Sequence, residues 1–240
     1  MRRWGIGLGV LCLALVLSIP ALAGSKSAAK RHYKAGVKQG RSGEIAQAIE
    51  SFRQALVENP KMFKAALDLG LACSMSKRWP EAIAAYQTAV KVEPGSAKAR
   101  KGLGEAFSKL GAHDSAVPHF ERLVKLKPKE VGSHSLLGVS LAGIAQHKSA
   151  IASFKKGLGL RSDDFVSTLG LAGSLYAEGA LTDAVKSYET ATRFNAKSRK
   201  AWMGLGQTHQ RLKNRIEAKS AYSKACDLGH KSACKKAMLL

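Results

Sequence analysis

One pattern of small and aromatic residues recurs six times between Ala29 and Ser232, at a constant spacing of 34 residues. The first column is glycine or alanine, at Gly36, Gly70, Gly104, Gly138, Ala172 and Gly206. The second column is alanine throughout, at Ala48, Ala82, Ala116, Ala150, Ala184 and Ala218. The third column is aromatic, at Phe52, Tyr86, Phe120, Phe154, Tyr188 and Tyr222. A small residue lets two helices approach closely and an aromatic ring fills the space beside it, so this period predicts a stack of helical units.

Each unit contains two blocks in which apolar and small residues recur at helical spacing. A polar turn separates the blocks, and it carries glycine at Gly43, Gly111 and Gly179. We therefore expect a helix A and a helix B in every unit. Ser96, Ser162 with Asp163, and Ser198 precede three of the A helices and are expected to be their N-caps.

A further small column and a near-terminal proline (Pro60, Pro94, Pro128) complete a unit that closely resembles the tetratricopeptide repeat. The resemblance implies an all-α fold, a right-handed α-solenoid of six helix-turn-helix repeats closed by a C-terminal capping helix. The expected repeats are 29–62, 63–96, 97–130, 131–164, 165–198 and 199–232, and the capping helix is 233–240. In that helix we expect Ala233, Ala237 and Met238 to cover the last helix B, with Lys235 and Lys236 facing solvent.

Residues 1–23 have the pattern of a secretory signal peptide: Arg2 and Arg3, an apolar run, and small residues ending at Ala23. Residues 24–28 form a short polar leader before the repeats. Cleavage predicts export, to a bacterial periplasm or as a secreted protein. The run from Trp4 to Ala23 is also long enough to span a bilayer, so an uncleaved N-terminal anchor is the alternative.

The chain has a formal net charge of +22, and loss of Arg2 and Arg3 with the signal peptide would leave +20. Such a charge favours anionic partners, and export disfavours nucleic acid among them. The sequence has no HExxH motif, phosphate-binding glycine loop or nucleophile elbow, so we expect no enzyme, cofactor or metal site. His32 and His134 occupy a repeat position where a bulky residue packs, as Trp202 does, and packing is their expected role.

Cys226 and Cys234 bracket the turn into the terminal helix, in a segment that resembles the Sel-like repeats. In that family such a cysteine pair bridges consecutive helices, so the resemblance implies a disulfide, which export would permit. A zinc site at Cys226, His230 and Cys234 is the alternative, but it lacks an evident fourth ligand. Cys73 is expected to be a small buried hydrophobe.

The resemblance also implies that repeat positions 2, 5, 6, 9, 12 and 13 of helix A line a concave face. In the first three repeats this face is expected to be cationic, with Lys98 and Lys101 among its bases and Asp68 and Glu105 as its acids. In the next two repeats it carries no charge, and its members are Ser135, Leu136, Val139, Ala142, Val166, Leu169, Gly170, Gly173 and Tyr176. This apolar stretch is either a groove for a partner with an apolar centre and acidic flanks or an inert consequence of tight packing. The lysine and asparagine set with which some members grip a terminal carboxylate is absent.

The segment from Lys197 to Leu240 carries eleven lysines and arginines against Glu217 and Asp227, a net charge of +9. Lys213, Arg215, Lys235 and Lys236 are its candidate contact residues. The cluster is either an anionic docking surface or a set of solvated helix faces.

The sequence thus predicts a non-catalytic, exported scaffold or adaptor that binds a protein or peptide in its concave groove, in the assembly of a cell-envelope complex. The alternative is a binder of anionic envelope polymer or lipid through the basic C-terminal surface.

Overall fold

The computed structural model describes residues 25–240, and the predicted signal peptide lies outside the described residues. The described chain is all α-helical, with no strand. Its helices are α1 (Lys26–Arg41), α2 (Ile45–Glu58), α3 (Phe63–Met75), α4 (Trp79–Val92), α5 (Ala97–Lys109), α6 (His113–Leu126), α7 (Val131–Gly143), α8 (His147–Leu160), α9 (Phe165–Ala177), α10 (Leu181–Phe194), α11 (Arg199–Arg211), α12 (Arg215–Asp227) and α13 (Lys231–Met238).

The helices stack in chain order. Each helix packs against the next one along the chain, and from α3 onward each odd-numbered helix up to α9 also contacts the following odd-numbered helix. The odd-numbered helices α1 to α11 are therefore the A helices and lie side by side along one face. The six pairs with α13 confirm the solenoid of helical repeats.

The repeating columns explain the contacts inside each pair. In the fourth repeat, a Cβ on Gly138 would lie 2.6 Å from Cε1 of Phe154, so only glycine admits the ring at this separation. The alanines of the second column, such as Ala150, are fully buried. The same arrangement recurs at Gly36 and Gly206, whose neighbours are the rings of Phe52 and Tyr222. The core is thus a row of similar small interfaces.

The N-caps agree with expectation at two of the three predicted helices. The hydroxyls of Ser96 and Ser198 accept hydrogen bonds from the main-chain N–H groups of Ala99 and Ala201. At α9 the prediction of Ser162 with Asp163 is wrong, because Asp164 is the N-cap and accepts from the N–H of Ser167 at 2.8 Å. Asp163 and Asp164 are consecutive and are equally suitable N-cap residues, so the sequence alone does not indicate which of them caps α9.

The terminal helix α13 packs on α12 with one difference from expectation. Ala233 is buried and Ala237 packs partly buried beside it, but Met238 is 84% exposed and Leu240 takes the inward place instead. Lys235 is exposed, whereas Lys236 is only half-exposed because its Nζ lies 5.3 Å from the centre of the Tyr222 ring. The helix is therefore rotated so that Met238 faces solvent.

Candidate functional site

The A helices of the first four repeats enclose a continuous groove. Its largest part is a hollow of about 520 Å³ between α3, α5 and α7, with Leu71, Tyr86, Leu136 and Val139 in its lining. A second hollow of about 320 Å³ shares Leu71 and Tyr86 with the first. A third of about 210 Å³ shares Leu71 and continues to α1. We call these three joined hollows the concave groove.

The floor of the concave groove is apolar. Leu71 is 53% exposed and Met75 is 62% exposed, and both point into it from α3. Val139 is 40% exposed on α7, and half-buried Leu136 lies one turn away. Because solvent-facing apolar side chains gathered in a concavity gain free energy when covered, this floor is suited to an apolar ligand segment.

Charged side chains border this floor. Lys98 and Lys101 line the second hollow and Lys109 the first, and all three are exposed. The Nζ of Lys101 lies 3.9 Å from Oε1 of Glu105, so that lysine is partly compensated. Burial raises the pKa of Glu105, although Lys101 and Lys109 act in the opposite direction. Lys98 and Lys109 make no ion pair within residues 25–240, which leaves them available to an anionic group.

The structure separates the predicted groove residues into two groups. Lys98, Lys101, Leu136 and Val139 lie in the concave groove. Leu169 and Tyr176 lie on α9, beyond these hollows, and both are half-buried. Arg211 covers Tyr176, with its guanidinium carbon 4.8 Å from the ring centre and its Nη1 donating to the Tyr176 carbonyl at 3.0 Å.

Ser135 was expected on the concave face and is instead buried. Its hydroxyl donates to Oδ2 of Asp164 at 3.0 Å and lies 2.7 Å from the hydroxyl of Ser167. Arg161 donates to the other carboxylate oxygen of Asp164 at 2.7 Å. Burial alone would raise the pKa of Asp164, but its hydrogen bonds from Ser167, Arg161 and Ser135 outweigh that effect and lower it. This network joins α7 to α9 and takes the Ser135 hydroxyl out of the concave face, whereas Val166 on α9 is 50% exposed.

Sequence reasoning missed Leu71 and Met75. They stand at repeat positions 9 and 13 of the second repeat, among the positions already assigned to the concave face. The signal that finds them is the repeat position itself: in the second repeat, positions 9 and 13 carry these apolar residues. Tyr86 was placed in the core column, and it is indeed 5% exposed, but it also lines the groove beside Gly102.

The histidines of the two expected packing positions differ in burial. His134 is buried, and its Nε2 lies 2.9 Å from the carbonyl oxygen of Pro128. Trp202, at the same repeat position, donates from Nε1 to the Ala196 carbonyl at 2.8 Å. His32 is half-buried on α1. Among residues 25–240 there is no group of three or more His, Cys, Asp or Glu residues arranged to hold a metal ion.

Most of the predicted basic contact residues at the C-terminal end face solvent. Lys213, Arg215 and Lys235 are exposed, and Lys236 lies against the ring of Tyr222.

Cys226 and Cys234 form a disulfide that links α12 to α13, and Cys73 is buried and free. The disulfide takes the place of the zinc alternative at Cys226 and Cys234. No described helix has the length and apolar character needed to cross a membrane.

Several solved structures share this architecture. A protein described as YrrB, a TPR protein with an unusual peptide-binding site, superposes with a TM-score of 0.64 at 22% identity, over 78% of this chain and 98% of that one. The MamA protein gives a TM-score of 0.67 at 20% identity, over 72% and 94%. MamA from Desulfovibrio magneticus RS-1 gives 0.65 at 17% identity, over 73% and 98%. At such identities the likeness concerns the fold.

Family models agree with the structure. Models described as tetratricopeptide repeat match residues 33–91, 76–131 and 200–228. No curated protein matches the chain. The Sel-like resemblance of the last segment stays a prediction. The period, the helix pairs and these matches together show that the chain belongs to the tetratricopeptide repeat family.

Proposed function

We propose that this protein is a non-catalytic adaptor that binds a protein or peptide segment in the concave groove. The observation that carries the proposal is the exposed apolar floor of Leu71, Met75 and Val139 inside a concavity. Two features of the groove favour a partner with an apolar centre and acidic flanks: the floor takes the apolar centre, and Lys98 and Lys109 face the acidic groups. YrrB, which shares the fold, is described as having a peptide-binding site, and this supports a peptide segment as the kind of ligand.

We also propose that the adaptor works outside the cytoplasm, in the assembly of a cell-envelope complex. Residues 1–23 support this placement through their signal-peptide pattern, and the disulfide between Cys226 and Cys234 is compatible with an oxidising compartment. Cleavage of the signal peptide predicts a mature chain that begins at Gly24. Recovery of Met1 in a membrane fraction would instead support the uncleaved anchor.

The groove proposal is tested by selecting a displayed random-peptide library on the full chain. Enriched peptides should combine apolar residues with flanking aspartate or glutamate. Val139→Glu and Leu71→Glu each place a carboxylate in the apolar floor, so each should weaken the selected peptides by at least about tenfold, equivalent to about 1.4 kcal/mol. Fluorescence anisotropy with labelled peptides measures the dissociation constants.

Val57→Glu is the matched control, because Val57 is 69% exposed on α2 and lies outside the groove. It adds the same charge and should leave peptide affinity unchanged. Melting curves of the three variants should stay near wild type, since all three side chains are already solvent-facing. Affinity that survives both groove variants would overturn the proposal, as would an equal loss in Val57→Glu.

A further inference from the structure

The last two helices expose apolar side chains that pack on nothing in the described chain. Ile216 is 83% exposed in the first turn of α12, and Met238 and Leu239 are 84% and 80% exposed at the end of α13. These are the three most exposed large hydrophobic residues in the part of the chain that the structure describes. Their concentration at one end of a long array is therefore a specific feature of this molecule.

Contacts between α12 and α13 bring these side chains to the same end of the helix pair. The disulfide joins Cys226, near the end of α12, to Cys234 in α13, so the two helices run antiparallel. Nη2 of Arg215 donates to the main-chain oxygen of Leu240 at 3.4 Å, which places the start of α12 beside the end of α13. Ala233, Ala237 and Leu240 pack inward, and the opposite side of α13 faces solvent.

Exposed cations are the neighbours of these apolar residues along both helices, with Glu217 as the acid in the first turn of α12. Lys213 precedes α12, Arg215 begins it and Lys219 lies one turn further along. Lys235 lies one turn before Leu239 at the end of α13. None of the four forms an ion pair within residues 25–240. We call the four cations with Ile216, Met238 and Leu239 the terminal patch.

The charges argue against two other occupants of the terminal patch. A second copy stacked head to tail would bring α1 against the patch, with its exposed Lys30, Lys34 and Lys38, and a copy stacked end to end would bring the four cations against their equivalents. Like charges would repel in both arrangements. A soluble polyanion would satisfy the cations but would leave the exposed Met238 and Leu239 without a partner. An anionic bilayer satisfies both, since lipid headgroups attract lysine and arginine and the acyl boundary accepts apolar side chains.

We propose that the terminal patch docks on the surface of a bilayer that contains anionic lipid. The cations contact headgroup phosphates, and Met238, Leu239 and Ile216 enter the headgroup and acyl boundary. The disulfide keeps the short helix α13 in place for this contact. The proposal does not depend on the concave groove, which lies on the first four repeats and stays open to its own ligand.

Vesicle capture by the immobilised full-length chain tests the proposal. The probes are vesicles of phosphatidylcholine alone and vesicles with about one quarter phosphatidylglycerol, at about 0.15 M salt. Because the apolar run near the N-terminus could bind lipid itself, every sample carries Leu13→Asp and Leu15→Asp. One variant then removes charge (Arg215→Gln, Lys219→Gln and Lys235→Gln), and a second removes apolar surface (Met238→Ser and Leu239→Ser).

Matched controls lie elsewhere on the array. Lys30→Gln, Lys34→Gln and Lys38→Gln remove the same charge from exposed sites on α1, and Val57→Ser removes exposed apolar surface from α2. The parent chain should capture anionic vesicles at least tenfold better than neutral ones. Both terminal variants should lose at least tenfold of that capture, and neither control should lose more than twofold.

Three outcomes would overturn the proposal. Equal capture of neutral and anionic vesicles would remove the role of the cations. Loss in the charge variant with full retention in Met238→Ser and Leu239→Ser would assign the patch to soluble anionic polymers, which dextran sulfate binding would then reveal. Equal loss in the α1 control would mean that net charge alone is responsible. Circular dichroism on each variant separates these results from misfolding.

Discussion

At the residue scale, the turn between the helices of every repeat contains one residue in the left-handed region. It always occupies the fifteenth position of the repeat. Three of the six are glycine, with φ of 79° at Gly43, 83° at Gly111 and 81° at Gly179. The others are Lys77 at 57°, Ala145 at 58° and Lys213 at 62°. Since a Cβ makes this conformation unfavourable, alternate repeats carry strain that their neighbours avoid.

Ala145→Gly should therefore stabilise the protein. Removing the Cβ relieves the left-handed strain, although glycine also increases the entropy of the unfolded chain. We expect the free energy of unfolding to rise by about 0.5 to 1 kcal/mol, measured by urea denaturation at neutral pH.

The reverse change at the equivalent turn is the control. Gly111 has no atom within 4 Å of the position its Cβ would take, so Gly111→Ala tests conformation without a clash. It should lower the free energy of unfolding by about 1 kcal/mol. A loss of stability in Ala145→Gly would show that the turn conformation is not the source of strain.

At the element scale, the aromatic column joins consecutive repeats. The Phe154 ring of α8 lies between Gly138 of its own repeat and Gly170 of the next A helix, where a Cβ would lie 2.3 Å from the ring. Tyr86 and Tyr188 meet Gly102 and Gly204 of the following repeats in the same way. The glycines at these positions are thus required by close packing between repeats.

Two substitutions in α9 separate packing from helix propensity. Gly170→Ala should lower the free energy of unfolding by about 1 to 3 kcal/mol, because the ring of Phe154 must move. Gly173→Ala should raise it by about 0.5 to 1 kcal/mol, because its Cβ would meet only Tyr188 Oη at an ordinary 3.6 Å. Denaturation with urea gives both values. Opposite signs within one helix are the expected result, and stabilisation by Gly170→Ala would contradict the packing argument.

The sequence was sufficient to predict the helices because the columns repeat without a slip, so each position was observed six times. The structure differs from the predicted side-chain positions where a residue has no equivalent in the other repeats or makes a contact that the other repeats lack. Met238 lies in the short terminal helix, which occurs once, and Leu240 packs inward there while Met238 faces solvent. Ser135 stands at a position that is concave in other repeats, but Asp164 recruits it as a hydrogen-bond donor. Such choices depend on contacts between repeats, which the period alone does not specify.

At the scale of the whole molecule, the concave groove was only partly predictable. Positions carried over from the family included Leu136 and Val139, which line the concave groove, and Leu169 and Tyr176, which lie beyond it. The extent of the groove depends on how far neighbouring A helices separate. It also depends on side chains that reach across from the next repeat, as Arg211 does when it covers Tyr176. The residue type at each position therefore predicted the character of the surface better than its boundaries.

The whole array also determines how a local change spreads. Each repeat contacts only its neighbours, so stability is approximately a sum of local terms. The disulfide between Cys226 and Cys234 closes a short loop at one end, and loops of this size contribute roughly 2 to 3 kcal/mol. Its effect should therefore remain in the last repeats.

Replacing both cysteines by serine should destabilise α12 and α13 while leaving the first repeats unchanged. Without the covalent link, the eight residues of α13 are held by the packing of Ala233 and Ala237 and by the contact of Lys236 with the Tyr222 ring, which are small interactions for so short a helix. Hydrogen exchange followed by mass spectrometry should show faster exchange in residues 215–240 and wild-type exchange in α1 to α8. Cys73→Ser is the control, because Cys73 is free and buried in the second repeat, and its effect should appear near α3. Faster exchange along the entire array in the double variant would mean that the repeats unfold as one cooperative unit, contrary to the local contacts seen here.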